Sequence, residues 1–158
     1  MKKLIASMKN GYVNVYSIVN DEHMLCHSQI SEDILREAIE KSDVDFSTTF
    51  YMESIDLGRI VGKDNCVEVN DLDTVKMLQR KGRRGLTPIV FNKDAMDTNL
   101  VTIGICRDDD GLLTVFTSFF GQKAPKEPWD AKEHELPESI TFWKTHALVY
   151  NAGDYIAE

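Results

Sequence analysis

Apolar residues come in short alternating runs through most of this chain, and only two stretches repeat them at helical spacing. Residues 3–9 and 12–19 flank Asn10-Gly11, a pair that accepts the positive φ of a two-residue turn, so they predict a β-hairpin. Residues 20–30 are polar and read as a loop, with room for a short strand over 24–27. SEDILREAIEK at 31–41 predicts a helix: Ser31 caps it, Glu32 and Asp33 suit its positive end, and Ile34, Leu35, Ala38 and Ile39 form one stripe. After a loop at 43–49, FYMESIDLGRIVG predicts one or two strands ending at Gly58 and Gly62, and CVEV at 66–69 predicts another.

Residues 71–79 admit two readings. Asp71 ahead of an apolar-containing run suits a helix, whereas alternating Val75 and Met77 suit a strand. The strand is preferred, because RKGRRG would then join it to LTPIVF as its neighbour. Residues 99–107 and 112–121 predict a second hairpin around Asp109-Asp110-Gly111, and residues 138–150 a second helix with Pro137 in its first turn. The expected architecture is α+β: one domain over 1–158, a twisted, mostly antiparallel sheet built from hairpins and packed on two helices.

The length of 158 residues suits one domain that buries enough surface to need no staple. No apolar run reaches the roughly 18 residues of a membrane span. Lys9 and Asn10 cut short the apolar part of MKKLIASMKN, so the N-terminus is read as mature and the chain as cytoplasmic. Cys26, Cys66 and Cys106 are widely spaced without a CxxC, which favours reduced thiols over zinc or a disulfide framework. A net charge of -8 repels nucleic acid and anionic membranes on average. Yet Lys76, Arg80, Lys81, Arg83 and Arg84 fall within nine residues, so the field is polarised.

Four groups of residues carry candidate chemistry. The guanidinium groups of RKGRRG, on a turn flanked by glycines, suit bidentate phosphate binding; the same loop could also be a solvated surface paired with acid elsewhere. Ser139, Trp143, His146 and Tyr150 would share one face of the second helix, where His146 is either a general acid–base or a half-buried, hydrogen-bonded core residue. On LLTVFTSFFG, strand alternation puts Thr114 and Ser118 with Phe116 and Phe120, and Thr117 with Val115 and Phe119. These hydroxyls either bind phosphate or a ribose 2′-OH, or are there for strand propensity. Trp129, between Pro125, Pro128 and Asp130, either stacks on a base or lids the core. His23, His27 and His134 give metal binding little support, no HExxH, GxGxxG, GxSxG or Walker-type loop is present, and no cofactor is implied.

The order of helix, strands, basic loop, hairpin and late histidine resembles the small ribonuclease toxins grouped around barnase and RelE, over about residues 55–150. The residues that carry the likeness are Lys81, Arg83 and Arg84 in RKGRRG, Thr117 in VFTSFFG and His146 in FWKTHALVY. The resemblance implies metal-independent RNA cleavage by 2′-OH attack. His146 would move the proton, Arg83 and Arg84 would stabilise the pentavalent charge, and Thr117 would position the substrate, with Arg80, Lys81, Ser118, Trp129 and Trp143 contributing to ligand binding. The chain is also similar to uncharacterised bacterial proteins. A rival expectation is a non-enzymatic interaction protein of bacterial or phage type. It would offer a nucleic-acid-binding partner the carboxylates of Asp43, Asp45, Asp108, Asp109, Asp110, Glu127, Asp130, Glu133 and Glu135 in place of phosphates. A third is a small-ligand binder built on the Trp-bearing loop. The enzyme reading requires RKGRRG and His146 to share one hollow.

Overall fold

The computed structural model describes residues 2–7, 14–18, 30–45, 47–152 and 155. Its strands are β1 (Lys2–Ser7), β2 (Asn14–Ile18), β3 (Phe50–Asp56), β4 (Gly62–Asp64), β5 (Cys66–Glu68), β6 (Val75–Gln79), β7 (Leu86–Val90), β8 (Met96–Thr98), β9 (Leu100–Arg107), β10 (Leu113–Phe120) and β11 (His146–Val149). The helices are α1 (Glu32–Lys41) and α2 (Leu136–Trp143), the latter entered through a 3-10 turn at Glu133–Glu135. The architecture is α+β, with most strand pairs antiparallel. Two compact units divide the chain: Met1–Lys63 with Asp97–Lys123, and Asp64–Met96 with Ala124–Glu158.

The first unit holds a five-stranded sheet in the order β1-β2-β10-β9-β3. Its central strands read as nearly continuous apolar runs because both of their faces are covered. Val101, Ile103 and Ile105 of β9 and Leu113 and Val115 of β10 form the core with Leu35, Ala38 and Ile39 of α1. Ser31 accepts from the Ile34 amide as the cap requires, and Arg36 Nε donates to the Ile5 carbonyl at 2.8 Å, tying α1 to β1. β1 and β2 pair antiparallel with Ser7 opposite Asn14, the register that a two-residue turn at Asn10-Gly11 sets. That turn, Cys26 and the proposed strand at 24–27 lie outside the described residues.

The Asp108–Leu112 connection takes the three-residue form. The Gly111 amide donates to the Asp108 carbonyl, Gly111 has φ +79°, and the Asp108 carboxylate accepts from the amides of Asp110 and Leu112. A β-bulge at Phe116 then shifts the register from Val115–Ile105 to Thr117–Gly104. One extra residue reverses the faces beyond it. The expected grouping of hydroxyls is therefore corrected: Thr117 shares a face with Thr114, and Ser118 moves to the core face with Val115. β3 ends at Asp56, just before Gly58 at φ +75°, close to the expected strand end, whereas Gly62 begins β4 instead of ending a strand.

The second unit holds a four-stranded sheet in the order β5-β11-β7-β6. The strand reading of residues 71–79 holds: β6 pairs with β7, Met77 opposite Pro88 and Gln79 opposite Leu86, with RKGRRG as the connection. The helix expected over 138–150 does not. It stops at Trp143, and His146–Val149 is a strand between β5 and β7, with Ala147 opposite Val67 and Leu148 opposite Ile89. Ile140, Ala147 and Leu148 mimic a helical stripe, but a short apolar run is equally a buried strand, and two waiting edges decide the matter. Ser139, Trp143, His146 and Tyr150 therefore do not share a helical face.

Candidate functional site

Gly82, at φ +75°, lets the chain turn tightly after β6, with the Arg83 amide donating to the Arg80 carbonyl. Gln79 Nε2 donates to the Arg83 carbonyl at 2.8 Å and fixes the turn from below. The five basic residues then separate by role. Arg80 is half-buried: Nη2 pairs with Glu127 Oε1 at 3.3 Å and Nε donates to Thr87 Oγ1. Lys76 sits over the Phe91 ring. Lys81, Arg83 and Arg84 are exposed and hold no ion pair among the described residues. The turn is thus cationic and unneutralised in a chain of net charge -8.

Directly after that turn, β7 enters a wide, open groove of about 450 Å³. Its floor is Met77 of β6 with Leu86 and Pro88 of β7, which pair register places on one face. It is lined further by Pro128 and Trp129 of the preceding loop and by Ile140, Trp143 and Lys144 towards the end of α2. Met77 and Leu86 are 54% and 52% exposed, so much of this apolar surface faces water.

Both indoles are held in place. Trp129 packs on Gly85, where a Cβ would collide with the ring, and its Nε1 donates to Glu127 Oε2 at 2.8 Å. Trp143 Nε1 donates to the Pro125 carbonyl at 3.2 Å. Ser139, fully buried, donates to the Lys126 carbonyl and secures the loop to α2. Glu127 is 7% exposed, and its two oxygens serve Arg80 and Trp129, so one buried carboxylate joins the base of the cationic turn to the aromatic wall. Burial, reinforced by Asp64 and Glu127, pushes the Cys66 thiol up to about 12, which disfavours the thiolate.

His146 is placed by different forces. Its ring stacks on Phe142 with centroids 3.9 Å apart, and Nδ1 lies 2.9 Å from the Phe142 carbonyl and 3.0 Å from Thr145 Oγ1. A protonated Nδ1 donates there to a carbonyl that also accepts from the Thr145 amide at 3.1 Å and from Thr145 Oγ1 at 3.2 Å. Neither His146, Arg83 nor Arg84 lines the groove. Thr117 and Ser118 belong to the first unit and are buried in its sheet, at 5% and 2% exposure. Comparison of the chain with protein-family models, curated proteins and solved structures gave no match.

Several of the carboxylates expected to imitate phosphates accept hydrogen bonds within the chain. Asp43 accepts from Tyr51, Asp45 from Ser47, Asp108 from its own turn and Glu135 from the Lys132 amide. No group of three metal-ligating side chains occurs among the described residues, and no helix among them is long and apolar enough to cross a membrane. The basic turn and Trp129 were visible in the sequence. Met77, Leu86, Pro88 and Ile140 were not singled out; the signal of the first three is apolar residues on the outward side of an edge hairpin, which becomes legible only once strand register is known, and Ile140 lies on α2.

Proposed function

We propose that this protein acts by binding a protein partner at the groove of its second unit, and that it is not a nuclease. The observation that carries this reading is the groove itself: two fixed tryptophans over an exposed apolar floor, ending in an unneutralised cationic turn. Apolar surface of this kind, rimmed by charge, marks interaction sites. The state of His146 supports the same reading, because its ring is stacked on Phe142 and its Nδ1 is engaged by the Phe142 carbonyl. His146, Arg83 and Arg84 do not line the groove, and the hydroxyl expected to position RNA is buried in the first unit.

Site-specific photocrosslinking tests this. Ile140 lies on the groove wall and is exposed, so a photoreactive phenylalanine analogue there leaves the core intact. Irradiation in the native host should give an adduct of discrete mass that protease removes and ribonuclease does not, and the same analogue at Phe50 of the first unit should not give it. An adduct removed by ribonuclease, or none at all, contradicts the proposal.

A further inference from the structure

We infer that the partner presents a short acidic segment, seating two or three apolar side chains in the groove and turning its carboxylates to Lys81, Arg83, Arg84 and Lys144. This rests on the binding reading above and names the chemistry of what binds.

The groove's lack of polar partners selects the ligand. Both indole N–H groups are already committed to Glu127 and the Pro125 carbonyl, and Lys144 is the one ionisable residue in the lining. Against this lining a nucleobase or a sugar finds no side-chain hydrogen-bond partner but Lys144, which disfavours both. Aliphatic and aromatic side chains carry no such requirement. A volume of about 450 Å³ lies within the roughly 300–1,000 Å³ of ligand clefts and accepts several such anchors side by side.

Charge sets the rest of the segment. Lys144 at the groove wall, like Lys81, Arg83 and Arg84 on the turn that leads into Gly85 and Leu86, holds no ion pair among the described residues. Guanidinium forks take carboxylates bidentately, and long-range attraction raises the rate of encounter. A basic partner would be drawn to the rest of this acidic surface instead. Because the Glu127 bonds and the close approach of Gly85 hold Trp129 in advance, little side-chain ordering remains to oppose binding.

A random-peptide display selection against the full chain reads this directly. Enriched peptides should combine Asp or Glu with two or three Leu, Ile, Phe or Trp positions. A synthetic copy should bind about tenfold or more weakly to Ile140→Glu and to the double variant Arg83→Glu/Arg84→Glu. Only the charge-reversed variant should also lose its salt dependence. All three positions are exposed, so these variants fold, as thermal melts will verify, and Phe50→Glu on the first unit should bind like wild type. Enriched peptides that are basic or uncharged, or whose binding ignores both variants, overturn the inference while leaving a protein partner in place. Concentration-dependent self-association abolished by Ile140→Glu overturns it in favour of a second copy. No enriched peptide, together with a ribonuclease-sensitive crosslink at 140, removes both readings.

Discussion

At Gly85 the missing side chain decides where an indole can lie. A Cβ at this position would collide with Trp129, so Gly85→Ala must displace the ring or the strand beneath it. The expected loss is about 1–3 kcal/mol of stability with a red shift of tryptophan emission, measured by thermal melting and fluorescence. An unchanged melt and spectrum would mean that the ring does not rest there. The sequence marked RKGRRG as a loop with glycines for close approach, and the close approach is real, but it is to an indole of the same chain. A glycine announces that space is needed and never what fills it. Glu127 was likewise counted among surface carboxylates, because nothing in KEPWD distinguishes a buried acid from a solvated one until Arg80 and the indole arrive from distant positions.

Elements were legible where local chemistry and pattern agreed. Alternation beside turn residues foretold the β1–β2 and β9–β10 pairs, and Ser31, two acids and a single stripe foretold α1. They were illegible where tertiary pairing chose between equal options: HALV continues a helix by spacing and a strand by composition, and the free edges of β5 and β7 select the strand. The bulge at Phe116 left no trace in LLTVFTSFFG, since one inserted residue changes faces without changing composition. The end of α1 offers a test at this scale. Arg59 meets both oxygens of Glu37 at 2.7 Å and, with Lys41, holds that carboxyl down to about 2. Because the folded value lies below the unfolded one, this stabilisation is complete above the ordinary carboxylate range and is lost as pH falls through about 2. Glu37→Gln should therefore melt below wild type near neutral pH, by a small, salt-sensitive margin that closes on acidification towards pH 2. A margin that widens on acidification would contradict the pairing.

For the molecule as a whole, composition gave the sign of the average field and the basic cluster gave its exception, but neither gave the two-unit division that separates Thr117 from His146 along the chain. Apolar groove and unneutralised cations occupy one unit, and the proposed recognition role rests on that placement. Incubating RNA in EDTA with excess wild-type protein and with His146→Ala tests this most directly. Intact RNA is expected with both proteins, with the variant less stable by about 1 kcal/mol, the cost of losing the Nδ1 contact and the stacking on Phe142. RNA cut by wild type and spared by a folded His146→Ala would contradict it.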